Sequence, residues 1–232
     1  MIEEILPVAT KQLSKTVIET SHQYAMTDAM INALCKNLVN ADNNKSKAIY
    51  FSEITTATDF KKIIALRLKL YEQSNPYLLD ALQNGTDDLE SRSVVYAAWI
   101  DHEIVATIRL TPHPYETTQF IAAEKLAQFL GENYQHQYLE WSRLLVDPNA
   151  RNLRVMPALL VYAGMKVLTS TQYTQYFGFT KPIVRKLMRK FSIENESLSF
   201  TIPERENNSY LLLKGNFSTD FWNLSRKGFS FE

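Results

Sequence analysis

Apolar residues recur along this chain with two different periods, and each change of period marks a predicted element. Residues 1–39 read as helical, with Leu13, Val17, Tyr24, Met30, Ala33, Leu34 and Leu38 among the spaced apolar positions. The polar, turn-rich NADNNKSK (40–47) is the best internal boundary. It separates an N-terminal helical segment, 1–45, from a main domain, 46–232. AIYFSEI (48–54) alternates as a strand. Thr58 or Asp59 can cap a helix through FKKIIALRLKLYEQ (60–73), where Ile63, Leu66 and Leu70 share a face, and Asn75-Pro76 ends it. Residues 77–92 mix a short helix with a Gly85-Thr86-Asp87-Asp88 loop. SVVYAAWI (93–100) and EIVATIRL (103–110) are strands joined by Asp101-His102, a hairpin signal without the favoured glycine. FIAAEKLAQFLG (120–131) is a helix with a glycine stop. YLEWSRLLVDP (138–148) is a strand running into a turn. A helix from about Asn152 to Thr169, a strand at QYTQYFGF (172–179) and a helix at KPIVRKLMRKF (181–191) follow. LSFTIP and YLLLKGNF close the chain as an antiparallel pair. This order predicts an α/β (α+β) fold, a mixed sheet with helices on both faces.

Composition narrows the function by exclusion. Lys and Arg number 25, and so do Asp and Glu, which argues against a general binder of nucleic acid or anionic membrane. The N-terminus is acidic and lacks the apolar core of a signal peptide. PALLVYAGMKVL (157–168) is too short for a membrane span and contains Lys166. The single cysteine, Cys35, excludes an intrachain disulfide and a cysteine-based zinc cluster, and fits a cytoplasmic setting. No zinc-protease helix, nucleophile elbow, P-loop or dinucleotide fingerprint is present. The four histidines (22, 102, 113 and 136) are scattered and read as surface or packing residues.

The charged residues inside apolar segments carry more. Burying an unpaired charge costs several kcal/mol. Yet Glu140, Ser142 and Arg143 interrupt the apolar run Leu139, Trp141, Leu144, Leu145, Val146. Arg109 sits in the apolar strand ATIRLTP. Arg67 and Tyr71 are four apart on one helix face. Asp87, Glu90 and Ser93 recur three apart in the loop leading to a strand. One charge in a strand is ordinarily solvent-facing. Four segments that each present one suggest carboxylates and arginines neutralising one another around a polar cleft.

LRLKLY (Arg67, Tyr71), DDLE (Asp87, Glu90), IRLTP (Arg109) and EWSR (Glu140, Ser142, Arg143) stand in an order and spacing that resembles the acyl-homoserine-lactone (autoinducer) synthases and the N-acyl amino acid synthases. The resemblance covers roughly residues 48–170. It implies the GNAT acyltransferase fold, a mixed, mainly antiparallel twisted sheet flanked by helices on both faces. It also implies an N-acyltransferase that moves a fatty acyl group from a thioester to an amine. Sheets of this fold splay near the EWSR strand and carry a bulge there. A bulge would let Glu140 and Arg143 serve one site, although a regular strand points them to opposite faces. On this resemblance Glu140 is the expected base, with Arg143 as its catalytic partner. Backbone amides of 143–146 are expected to bind the thioester oxygen. Arg67, Arg109 and Arg143 would fix an acceptor carboxylate or hold the acidic loop. Arg143 could instead pair with Asp87 or Glu90 merely to hold that loop. LLVYAGMKVL and QYTQYFGF could line an acyl groove.

Three departures bear on the acceptor. Tyr71 stands for phenylalanine, Glu90 for aspartate, and Tyr77 for a tryptophan on the family's acceptor side. Two added hydroxyls suit a small amino acid better than S-adenosylmethionine. The segment after the EWSR strand, DPNARNLRVMP, lacks the glycines that cradle coenzyme A pyrophosphate but has Arg151 and Arg154. An acyl carrier protein, delivering an acyl-phosphopantetheine thioester, fits as donor at least as well as acyl-CoA. Arg185 and Arg189, with Lys186 and Lys190, form a basic helix face for such an acidic carrier. No metal and no permanently bound cofactor is expected. Alternative readings are an acyl-homoserine-lactone synthase using S-adenosylmethionine, a protein-modifying acetyltransferase, and a GNAT-fold module that binds acyl chains or carrier protein without turnover.

Overall fold

The computed structural model describes residues 27–39, 48–74, 76, 78–79, 86–190, 196–205, 208–220 and 222–223. The predicted 1–45/46–232 boundary, most of the N-terminal helix and Tyr77 lie outside these residues. In chain order the elements are α1 (Asp28–Leu38), β1 (Ile49–Glu53), α2 (Ala57–Ser74), β2 (Val94–Ile100), β3 (Glu103–Thr111), α3 (Ala123–Leu130), the single turn α4 (Tyr134–Gln137), β4 (Tyr138–Val146), α5 (Val155–Ser170), β5 (Gln175–Thr180), α6 (Pro182–Lys190), β6 (Glu196–Ile202) and β7 (Asn208–Asn216). The strands form one sheet in the order β1-β2-β3-β4-β5-β7-β6. Every pairing is antiparallel except β4 with β5, which α5 connects as a crossover.

Alternation along the central strands sets the layers. Tyr96, Ala98 and Ile100 of β2 join Ile108 and Leu110 of β3 in a core under α1 and α5. Val95, Ala97 and Trp99 face the other way, onto Ile63, Leu66 and Leu70 of α2. Farther along that second face, Tyr138 and Phe177 pack with Leu126 and Leu130 of α3. Helices therefore cover both faces, as the sequence predicted. α1 also guards the edge strand β1: the Asn32 amide donates to Phe51 O (3.0 Å) and accepts from Phe51 N (2.7 Å).

Several boundaries differ from the sequence reading, each for a local reason. The cap of α2 is Thr56 rather than Thr58 or Asp59. Its hydroxyl accepts from Asp59 N (3.1 Å) and donates to the Asp59 carboxylate (2.8 Å), which fixes the first turn. Residues 120–122 stay outside α3, which ends where predicted, at Gly131 with φ +102°. α5 starts at Val155, after a 3-10 segment, Pro148–Leu153, capped by the Asp147 side chain on Asn149 N (2.9 Å). β5 begins three residues later than expected, at Gln175. The glycine-free hairpin is made by Asp101 (φ +50°) and His102 (φ +71°). A type I′ hairpin turn needs positive φ at both central residues, and Asp tolerates it. Asp101 Oδ1 also accepts from Ala48 N at 3.0 Å.

One glycine is set by close approach. A Cβ on Gly178 would lie 2.1 Å from Trp141 Cδ1 and 2.5 Å from Trp141 O. Part of that clash is with backbone, which cannot swing away. Gly178→Ala is expected to cost about 1–3 kcal/mol, read as a lower urea midpoint with an unchanged slope.

Candidate active site

The site begins where two parallel strands part. β4 pairs with β5 only from Tyr138 to Glu140, against Gln175 to Phe177. Beyond that the Trp141 ring occupies the space beside Gly178, and the ladder stops. The splay opens a cleft of about 240 Å³. Trp141 to Leu145 form one wall, Phe179 and Thr180 another, and Ile183, Val184 and Met188 of α6 a third. Tyr71, Glu116, Arg205 and Tyr210 also face it. The apolar wall expected from α5 comes from α6 instead: residues 158–163 of α5 are buried in the core under the sheet.

The expected bulge lies at Arg143. The β3–β4 ladder runs Arg109↔Ser142 and resumes at Thr107↔Leu145. Arg143 and Leu144 thus stand opposite the single residue Ile108, and Arg143 takes φ +52°. The extra residue lets both Ser142 and Arg143 reach the cleft wall, which regular alternation forbids.

Behind this wall runs a chain of ion pairs. Arg67 holds Glu90 (2.5 Å). Arg109 Nη1 donates to Glu90 (2.9 Å) and Asp87 (2.6 Å), its Nη2 to Glu116 (2.9 Å), and its Nε to Ser142 Oγ (2.9 Å). Arg143 pairs with Asp87 (2.6 Å) and lies 3.4 Å from Glu116. Arg205 closes the chain on the other oxygen of Glu116 (3.2 Å). Arg67 and Arg109 are fully buried. Such charges are tolerated only when every one is paired. Burial pushes the Asp87 carboxyl up, but Arg109 and Arg143 outweigh it and hold it down at about 2. Burial opposes the Arg143 charge, yet Glu116, Tyr71 and Asp87 more than offset this and raise its pKa. Arg143 Nε is buried and has no hydrogen-bond acceptor among the described residues.

Glu140 departs from its expected place in the cleft. It is fully buried and lies behind the wall. Its carboxylate accepts from Glu116 N (2.5 Å), Thr117 N (2.9 Å) and Thr117 Oγ1, so it clamps the turn that carries Glu116. Burial and the Glu116 charge push it up to about 7, against the pull of those hydrogen bonds.

No family model and no curated protein matches this sequence at a significant level. Solved structures do match. The CoA-dependent acyl-homoserine lactone synthase BjaI aligns with a TM-score of 0.60 at 15% identity, over 79% of this chain and 90% of its own. FeeM, an N-acyl amino acid synthase from uncultured soil microbes, aligns at 0.58 and 9% identity, over 77% and 95%. An acyl-CoA N-acyltransferase from Pseudomonas aeruginosa aligns at 0.51 and 14% identity, over 72% and 99%. This chain has the acyl-homoserine lactone synthase fold. Both groups that the sequence motifs resembled are among its structural neighbours.

Within this fold, Arg67, Asp87, Glu90, Arg109, Ser142 and Arg143 converge in one network, with Tyr71 on the cleft and Glu140 attached through Glu116. Arg151 and Arg154 are exposed beyond the end of β4 and do not line the cleft. Arg189 is exposed on α6, and Arg185 half-buried. Glu116, Thr117 and Arg205 were missed by the sequence reading. Glu116 had a faint signal, an acid seven residues after Arg109 in the loop leaving its strand. Arg205 had none. Among the described residues no three His, Cys, Asp or Glu side chains group as metal ligands would, and no helix is long and apolar enough to cross a membrane.

Proposed function

We propose that this chain is an N-acyltransferase that moves a fatty acyl group from a thioester to the α-amine of a small amino acid. The observation that carries the reading is the cleft itself: apolar along α6 and β5, and charged at Arg143 and Glu116 where β4 bulges. An acyl chain fits the first part and a reacting thioester the second. The amine nitrogen attacks the thioester carbonyl, a C–N bond forms, and the C–S bond breaks. An ammonium acceptor yields an amide, a thiol and one released proton. Arg143 Nε and β4 amides beyond Trp141, which lack a ladder partner on the β5 side, suit the oxygen that gains charge. Glu116, at the charged end of the cleft, is placed to hold a water that takes up the released proton.

Glu140 acts as a positioning residue in this scheme. It holds the Glu116 turn best when ionised, because both backbone N–H groups then meet a full carboxylate. Its group is raised to about 7, so the ionised fraction grows as pH rises through 7. Turnover is expected to climb with an apparent pKa near 7, and Glu140→Gln to lose that limb while remaining folded. An unchanged pH profile in Glu140→Gln would remove the assignment.

For the donor, an acyl carrier protein suits the basic residues of α6, of which Ile183 is 67% exposed beside the cleft mouth. Charge reversal at Arg185 and Arg189 is expected to weaken carrier-protein use by about tenfold at low salt and less at high salt. The experiment for the whole reading is mass spectrometry of organic extracts from cells expressing the chain. N-acyl amino acids support it. Acyl-homoserine lactones would favour S-adenosylmethionine as acceptor, and neither product would favour a binding module.

A further inference from the structure

The ion-pair chain has a sealed end and an open end. Arg67 is sealed in the core, whereas Arg205 reaches the cleft from the short turn Pro203–Arg205 between β6 and β7. Its side chain is 12% exposed. The guanidinium carbon lies 4.8 Å from the Phe120 ring centroid, 5.3 Å from Phe179 and 5.9 Å from Tyr210. Stacking on rings fixes the plane of a guanidinium without consuming its N–H donors. Among the described residues its carboxylate partner is Glu116, met by Nη2 at 3.2 Å. Glu116 is divided in the same way. Oε2 is held by Arg109 and Arg143 from behind, and Oε1 meets Arg205 at the cleft. A planar donor with N–H groups to spare therefore stands beside an acceptor oxygen with lone pairs to spare.

We propose that this pair is the acceptor clamp: Arg205 binds the carboxylate of an α-amino acid and Glu116 Oε1 binds its ammonium. The proposal rests on the N-acyltransferase reading above and adds where and by what the acceptor is recognised. The two charged groups of an α-amino acid sit on one carbon, so they match a cation and an anion that are already neighbours. Arg205 and Glu116 bear opposite charges, and a zwitterion set between them meets each with its opposite. The geometry also directs the reaction. An amine on Glu116 lies beside Arg143, which is 3.4 Å from the same carboxylate and lines the wall where the thioester oxygen would sit.

The test compares each amino acid with its primary amide, which keeps the amine and loses the carboxylate. Purified protein is given octanoyl-carrier protein or octanoyl-CoA with the twenty L-amino acids, and the best acceptor is then paired with its amide. Wild type is expected to favour the acid by at least about 100-fold in kcat/KM, because a charged site left unfilled rejects the analogue strongly. Arg205→Gln is expected to lose most of that preference, chiefly through a raised KM for the acid. Arg205→Lys, which keeps the charge, is expected to retain part of it. Equal use of acid and amide by wild type, or an unchanged ratio in folded Arg205→Gln or Arg205→Lys, overturns the clamp and leaves acyl transfer standing. Failure of wild type to acylate any amino acid overturns both the clamp and the reading beneath it.

Discussion

Arg143→Ala is expected to fold and to transfer acyl groups at least about 100-fold more slowly than wild type, the loss typical of removing one oxyanion-type donor. The expectation rests on position. Arg143 sits on the bulge of β4, lines the cleft, and has a buried Nε without an acceptor among the described residues. Its other contacts are shared: Asp87 and Glu116 both keep Arg109 when Arg143 is gone. The fold therefore survives the truncation better than the chemistry does. Single-turnover kinetics under saturating substrates separate the two, with circular dichroism as the control for folding. A purely structural Arg143 would show the reverse, a large fall in stability with turnover preserved in the folded fraction.

Arg109→Met is expected to have the largest effect on stability, about 3–5 kcal/mol, because it leaves buried carboxylates without their shared partner. Arg109 alone touches Asp87, Glu90, Glu116 and Ser142. Burial opposes its charge, and Glu90, Asp87 and Glu116 more than offset that, so its pKa is raised. A loss of that size is a large share of the 5–15 kcal/mol that a domain ordinarily has. Arg67→Met is expected to cost less, since Glu90 keeps Arg109 as its second cation. Urea unfolding of the two variants side by side reads the difference. Equal costs would mean that the chain of ion pairs does not act through its centre.

Much of the fold was legible because alternation reports which strands are covered on both faces. VVYAAWI has no polar position, and β2 is a strand with helices on both sides. The bulge was legible only through the conflict it resolves, a glutamate, a serine and an arginine that one regular strand cannot aim together. Register was not legible, so neither was the stop in the β4–β5 ladder that makes the cleft. Glu140 misled for the same reason: its place in EWSR says which strand it belongs to, but not that the 116–117 turn folds over it. Arg205 and Glu116 are 89 residues apart. Their meeting depends on β7 lying between β5 and β6, a long-range arrangement that leaves no local pattern. Arg151 and Arg154 had the opposite fault, a suggestive local spacing on a segment that the fold carries outside the cleft.

The most direct measurement is a reaction of the purified chain with acyl-carrier protein and a mixture of free amino acids and S-adenosylmethionine, followed by mass spectrometry and a thiol assay. The expected result is N-acyl amino acid, with one thiol released for each amide formed. An intact thioester with no acylated product, after the donor is shown to bind, would contradict the account.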